Sequence, residues 1–354
     1  MADIKLGILG YGFMGHEHMN LLSKLPEITV TAICDIVSSQ MDDAPEGVRK
    51  YTEMDELIHD PEVNTVLIVV PNPLHKEAAI KAAKAKKNII CEKPAALSVA
   101  DYDEMVAAAK ENGVRFTVHQ QRRHDHDYVP MKKVFRDGLV GKTYLIRSMM
   151  YGVNGNMHDW HIYPEMGGGM LYDWGIHLID QILDMVPEKV TSVYADIKKV
   201  INQEVDDYFL LVFRFESGLT AEIELGTYFL TPKRSWLVLG DTGTAIFDVD
   251  FVNGMQETKK IVRTKHLLEN VPGKITMTSA GPTRSFGPPE PGLLYEEPLP
   301  EVRSGSEDWF RGYIEAIEND TEFEITVEQV RRDLCIMDAF RESAKTGKAV
   351  EFEK

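Results

Sequence analysis

The sequence predicts an α/β unit built on a parallel, doubly wound sheet, followed by an α+β unit with a large, mainly antiparallel open-faced sheet. Three observations predict it. Short β-branched runs alternate with amphipathic segments through the first 120 residues, a glycine-rich turn joins the first strand to the first helix, and beyond that point strand-like runs follow one another through tight turns. At 354 residues the chain exceeds what one core usually organises, which sets the expected domains at 1–120 and 121–354.

In the first unit the strand runs are Lys5–Leu9, Thr29–Cys34, Thr65–Val70, Asn88–Cys91 and Arg115–His119, with helical patterns at Pro73–Lys87 and Ser98–Asn112. Strand and helix alternating at this spacing give right-handed βαβ units. Ser98 followed by Asp101 marks a helix start, and Asn112-Gly113 marks its stop.

The second unit opens with a helical pattern at Tyr128–Arg136 and a strand at Thr143–Tyr151. Gly167–Gly169 precede a long helical pattern, Met170–Met185. Strand-like runs then follow at Val190–Ile197, Tyr208–Phe215, Thr220–Tyr228, Ser235–Leu239 and Thr244–Val249, with turns at Ser217-Gly218 and Asp241-Thr242-Gly243. Residues 254–305 carry no clear period, and the proline-rich run Ser285–Gly292 reads as a loop. A final helix is expected at about 326–345, ended by Gly347, with Val330, Leu334, Met337 and Phe340 at three- and four-residue intervals. It is expected to pack back toward the first domain.

Lysine and arginine number 39 against 56 acidic residues, a net charge of −17. Such a surface repels nucleic acid and anionic lipid, and it suits a neutral polyol better than a highly anionic ligand. No stretch approaches a membrane span and no signal peptide is apparent. Three widely spaced cysteines, Cys34, Cys91 and Cys335, argue against a disulfide framework, so a cytoplasmic location is expected.

Gly10-Tyr11-Gly12-Phe13-Met14-Gly15 stands between a strand and a helix, the context in which a G-x-G-x-x-G turn holds a dinucleotide pyrophosphate. The next strand ends at Asp35, 20 residues beyond Gly15, where an acid accepts hydrogen bonds from the adenosine ribose. A 2′-phosphate beside that carboxylate would be repelled, and no arginine lies in Ile36–Met41, so the expected cofactor is NAD.

Glu92-Lys93-Pro94 follows the strand Asn88–Cys91, and carboxyl ends of strands in such a sheet face the ligand crevice. Asp173 and His177 are four apart and share a helix face, off the apolar stripe of Leu171, Trp174, Leu178 and Ile182. On one reading Asp173, His177, Asp180, Gln181 and Asp184 form a solvated stripe. On the other, Asp173 and His177 form one wall of a cleft.

With these pieces in order, the sequence resembles the Gfo/Idh/MocA family of glucose-fructose oxidoreductases and inositol dehydrogenases over nearly its whole length. The matching segments are GYGFMG, Val70-Pro71-Asn72-Pro73-Leu74-His75, Glu92-Lys93-Pro94, GGGMLYDWGIHLIDQ and the closing AFRESAKTGKAVEF. The resemblance implies Lys93, Asp173 and His177 around a substrate carbinol. His177 is then the expected base, Lys93 the polarising and relay group, and Asp173 the group orienting substrate or lysine, although the first two roles could be exchanged. Implied cofactor positions are Gly10, Gly12, Phe13, Met14, Gly15, Asp35, Pro71, Asn72, His75, Glu92, Lys93 and Gln121. The implied substrate wall is Lys93, Arg122, Tyr151, Trp160, Asp173 and His177.

The expected activity is oxidation of a secondary hydroxyl of a sugar, glycoside or cyclitol, narrowly at C3 of a glucoside. Alternatives are an NAD-dependent glycosidase working by transient oxidation and a catalytically silent NAD-binding regulator. Metal binding by His124-Asp125-His126-Asp127 or His158-Asp159-Trp160-His161 is a rival reading; the expectation is no metal. Apolar side chains on the runs 208–215 and 220–228 suggest a homo-oligomer, a dimer or tetramer.

Overall fold

The computed structural model describes residues 3–352 except 156, 158, 232–234, 251–253, 266–276, 279–280, 283–288 and 290. Most of the proline-rich run at 285–292 therefore lies outside the described residues, as does His158.

Six parallel strands form the first sheet: β1 (Ile4–Leu9), β2 (Ile28–Cys34), β3 (Arg49–Tyr51), β4 (Thr65–Ile68), β5 (Asn88–Cys91) and β6 (Phe116–Val118). Their order is β3-β2-β1-β4-β5-β6, so the direction of winding reverses between β1 and β4 and leaves a crevice at their carboxyl ends. The helices between them are α1 (Phe13–Leu22), α2 (Met54–Ile58), α3 (His75–Lys84) and α4 (Val99–Asn112). Strands covered on both faces read as continuous apolar runs, and all four residues of β4 are buried. Ala78, Ala79, Ala82 and Ala83 give α3 a small-residue face that lies close on the sheet. Ser98 caps α4 by accepting a hydrogen bond from the Asp101 amide, and Gly113 ends it with φ of 66°.

The second sheet has nine strands: β7 (Thr143–Tyr151), β8 (Val190–Lys198), β9 (Tyr208–Phe215), β10 (Thr220–Gly226), β11 (Trp236–Gly240), β12 (Gly243–Asp250), β13 (Gln256–Thr264), β16 (Leu294–Pro298) and β17 (Val350–Glu351). A two-stranded ladder, β14 (Met277–Thr278) with β15 (Gly281–Pro282), stands apart. The order is β16-β13-β12-β11-β7-β10-β9-β8-β17, antiparallel throughout except that β7 and β10 run parallel. Four helices accompany it: α5 (Tyr128–Arg136), α6 (Ile176–Met185), α7 (Glu307–Glu318) and α8 (Val327–Thr346). The helices α2 and α7 and the strands β3, β13, β14, β15, β16 and β17 carried no clear sequence signal.

Alternation along β9 and β10 sorts the side chains. Phe209, Leu211, Phe213, Ala221, Ile223 and Leu225 face the helices, and Phe213 meets Phe340 of α8 edge to face at 4.9 Å. Most of the apolar surface of these two strands is thus covered within the chain. Their other face carries Leu210 and Val212 beside Glu222 and Glu224, with Arg147 of β7 bonded to Glu222 at 2.7 Å. Thr326 and Gln329 form a capping box at the start of α8, and Gly347 ends the helix. From there α8 reaches back to α4, where the Tyr102 hydroxyl donates to the Val327 carbonyl at 3.1 Å and Arg331 pairs with Asp103 at 2.8 Å.

Candidate functional site

The glycine turn lies at the crevice. Gly10 has φ of +100°, and an added Cβ there would strike the Val69 backbone. A Cβ on Gly15 would strike the Gly10 carbonyl, so both residues must be small for the turn and α1 to pack. Gly12 differs: a Cβ there would meet nothing within 4 Å, which leaves the N-terminus of α1 open to a phosphate. Phe13, 78% exposed, and Met14 stand at this opening. Asp35 is tied down by the Tyr11 amide at 2.9 Å and the Val37 amide at 2.8 Å. Ile36 and Val37 are exposed beside it, an apolar shelf next to the ribose acid that suits an adenine. The residues present fit a dinucleotide.

Beyond β4, Pro71 opens the turn and Asn72 donates its amide to the carbonyls of Met166 and Gly167 at 3.3 and 3.4 Å. His75 is buried, its ring nitrogens against the carbonyls of Val70 and Pro94 at 2.8 and 3.0 Å, so it braces the loop beneath Lys93. Glu92 also points inward. One of its carboxylate oxygens receives His18 Nε2 at 2.7 Å and His119 Nδ1 at 2.8 Å, and the other receives the Lys93 amide at 3.1 Å. These bonds hold Glu92 well below the usual carboxylate range although burial opposes them. His18, Glu92 and His119 are, among the described residues, the one group close enough to share a metal. Both imidazoles aim at the same oxygen, however, which is hydrogen-bond geometry within an aromatic setting of Trp309 and Phe310.

Lys93 emerges from the cis Lys93–Pro94 peptide. Its Nζ donates to Asp173 Oδ1 at 2.8 Å and to the Asp173 carbonyl at 3.1 Å. Asp173 lies not in α-helix but in a π-helical turn, Leu171–Gly175, that leads into α6. The turn is anchored by Asp206, which accepts the Leu171 amide at 2.7 Å and whose carboxyl is pushed up to about 6 by burial. This corrects the expectation of one continuous helix from Met170.

A second correction concerns exposure. His177 is 3% exposed, and Asp180 and Gln181 are also buried, so neither a solvated stripe nor a face off the buried side describes α6. Asp180 accepts Arg123 Nε at 2.8 Å, while Asp184 takes Lys132 at 2.5 Å and the Tyr128 hydroxyl. Buried polar groups on every side of α6 are satisfied by neighbours, which an amphipathic pattern cannot register.

His177 Nδ1 lies 2.8 Å from Gln120 Oε1. With the amide oxygen accepting, the proton sits on Nδ1 and the lone pair on Nε2. Burial first, then the charges of Lys93 and Arg122, hold the ring well below its ordinary pKa, so it is neutral at pH 7. Arg122 stacks its guanidinium 3.9 Å over Trp174 and bonds Asp125 at 3.0 Å. Gln121 Oε1 is buried with no protein partner.

A cavity of about 340 Å³ opens beside Asp173, lined among others by Tyr151, His161, Trp174 and Thr227. Trp160 stacks on His161 at 3.9 Å, and His161 Nε2 stands 3.9 Å from Asp173. The run His124-Asp125-His126-Asp127 diverges: His124 meets Glu324 at 3.0 Å, His126 faces Glu257 at 3.6 Å, and Asp127 accepts the Trp236 indole at 3.2 Å. Those side chains do not converge on a metal.

A domain described as "Oxidoreductase family, NAD-binding Rossmann fold" matches residues 4–120, and a "GFO/IDH/MocA C-terminal domain" matches residues 128–246. The chain belongs to the Gfo/Idh/MocA family. Among relatives in this family, a myo-inositol 2-dehydrogenase of Thermotoga maritima is 31% identical over 62% of this chain and 68% of its own. A 2,7-anhydro-N-acetylneuraminate hydratase of Escherichia coli is 30% identical over 75% of this chain and 72% of its own. A solved NAD-binding protein from Listeria innocua superposes with a TM-score of 0.90 at 32% identity, covering 99% of this chain and 100% of that one. The protein is thus an NAD-binding oxidoreductase of this family.

Sequence reasoning passed over Gln120, His18, His119 and Asp206. Gln120 adjoins Gln121, and only the turn after β6 decides which glutamine reaches α6. His18 had a readable signal: it lies three residues after Gly15, one helical turn along the face that packs on the sheet.

Proposed function

We propose that the protein oxidises a secondary hydroxyl of an uncharged sugar, glycoside or cyclitol, with C3 of a glucoside as the narrower form. The observation that carries this reading is the Lys93–Asp173 ion pair, 2.8 Å long, beside a buried His177 whose proton is held by Gln120.

NAD bound at Gly12 and Asp35 supplies the hydride acceptor. The chain supplies the rest. His177 Nε2, unprotonated, accepts the proton of the substrate hydroxyl. Lys93, fixed by two bonds to Asp173, donates its remaining N–H to the hydroxyl oxygen and polarises it, so Asp173 orients the lysine and the abstracted proton rests on His177. A carbinol oxygen placed between an ammonium and an imidazole is stabilised as it loses its proton. Phe13, Met14, Pro71, Asn72 and Gln121 border the cofactor cleft, while His75 and Glu92 hold the Lys93 loop from below. Arg122, Tyr151 and Trp160 wall the substrate side.

The test is a panel of cyclitols, sugars and glycosides, read by absorbance of reduced nicotinamide and by product mass, with and without added NAD. An oxidised product, two mass units lighter than its substrate, is expected. Absence of any such product across the panel overturns the reading. Product mass is needed because one relative is named a hydratase, which is not a net oxidation.

The same reading takes residues 1–120 as the NAD-binding domain and 121–354 as the substrate-binding and oligomerisation domain. The half-exposed face of β7, β9 and β10, with Leu210, Val212 and Met149, would join a second copy in a homodimer or tetramer. Light scattering at micromolar concentration tests that. A cytoplasmic location accords with three unpaired cysteines, and no helix among the described residues is long and apolar enough to cross a membrane.

A further inference from the structure

The cavity beside Asp173 lies at the carboxyl ends of the parallel neighbours β7 and β10, and Lys93 and His177 are outside its lining. A ring whose reacting carbon sits between Lys93 and His177 enters this 340 Å³ space past Asp173 and directs its substituents toward the part lined by β7 and β10. What lines that space has a definite chemistry. Met150, Met157, Met170 and Leu225 contribute apolar, largely flexible side chains, and Trp174 adds an aromatic edge. Among the described lining residues there is no lysine or arginine, and the one carboxylate, Asp173, is matched by Lys93.

We propose that this cavity is a subsite for an uncharged, mainly apolar substituent carried on the oxidised ring. The preferred substrate is then a substituted ring, such as a glycoside with an apolar aglycone, ahead of a bare sugar or cyclitol. The inference rests on the reading that a ring hydroxyl is oxidised at the Lys93–Asp173–His177 end. An anionic substituent is disfavoured because no lysine or arginine stands among the described lining residues to pair with it and the chain carries −17 overall.

The experiment uses the full-length protein loaded with NAD and measures calorimetric binding of methyl, phenyl and 4-carboxyphenyl glucosides, both anomers, beside their kcat/KM. Phenyl glucoside is expected to bind at least about tenfold more tightly than methyl glucoside, since small apolar groups in a hydrophobic pocket already discriminate on that scale. The carboxylate should erase the gain. Met157→Asp should collapse the phenyl-to-methyl ratio. Equal affinities for methyl and phenyl glucosides, or a ratio untouched by Met157→Asp, would overturn the subsite. Phenyl preference in binding without any oxidised product sinks the oxidation reading and leaves the subsite standing. Oxidation of both at equal affinity and equal kcat/KM does the reverse.

Discussion

Gln120 and His177 meet at 2.8 Å in a region where both side chains are almost wholly enclosed, 1% and 3% exposed. A neutral amide oxygen on Nδ1 fixes the tautomer without adding the negative charge that would raise the ring's pKa. In Gln120→Glu a carboxylate replaces that oxygen, and the acid limb of the kcat/KM profile should move to higher pH as His177 gains affinity for a second proton. Gln120→Leu leaves Nδ1–H without an acceptor, a loss of about 1–3 kcal/mol, and kcat should fall correspondingly. Steady-state rates between pH 5 and 9 check both. An acid limb that stays where it is in Gln120→Glu removes Gln120 from the site.

Lys93 is held by the carboxylate and the carbonyl of one residue, so its two bonds can be separated. Lys93→Met should cut kcat by orders of magnitude while leaving NAD affinity, measured by fluorescence titration, nearly unchanged. Asp173→Asn keeps the carbonyl bond at 3.1 Å and loses the charge pairing, so a smaller loss of roughly 10–100-fold is expected, by analogy with outer partners of other catalytic groups. Activity of Lys93→Met within threefold of the parent would contradict the assignment.

Much of this was readable in the chain. The Gly10–Gly15 turn, Asp35 and the strand–helix alternation depend on local spacing, and local spacing is what a sequence displays. The Ser98 and Thr326 caps were legible for the same reason. The aims of Glu92 and His75 were not, because each is fixed by partners 74 and 19 residues away. Nor was the π-turn at Leu171–Gly175: its anchor, Asp206, belongs to the stretch between β8 and β9. The burial of His177, Asp180 and Gln181 escaped hydrophobic patterning because their polar atoms are satisfied by Gln120, Arg122 and Arg123 of the turn after β6 rather than by water.

Arg123 joins that turn to α6, with bonds to Asp180 and a 3.7 Å contact to Asp184. Removing one member of a buried ion pair strands the other, at a cost of about 3–5 kcal/mol. Arg123→Met should therefore lower unfolding free energy by that amount in urea. It should also loosen Gln120 and His177, since they are held by the same turn. A stability loss below about 1 kcal/mol would show that water reaches Asp180.

Asp333 of α8 is fully enclosed beside Asp180 and hydrogen-bonded to it, with its own Oδ2 lacking a partner. Burial first, then the Asp180 charge, push its carboxyl well above the usual range, so the folded protein keeps a proton there that the unfolded chain has lost. A carboxyl raised in this way contributes stability that is complete below about pH 3.9, the unfolded value, and is lost as pH rises through the folded value. Asp333→Asn keeps a hydrogen-bond donor toward Asp180 and cannot ionise. Its stability relative to the parent should therefore improve as pH rises above the unfolded value of about 3.9, in urea unfolding at fixed ionic strength. Parallel curves for the two proteins over that range would mean that Asp333 is ionised in the fold, with Arg123 and Arg332 carrying its charge.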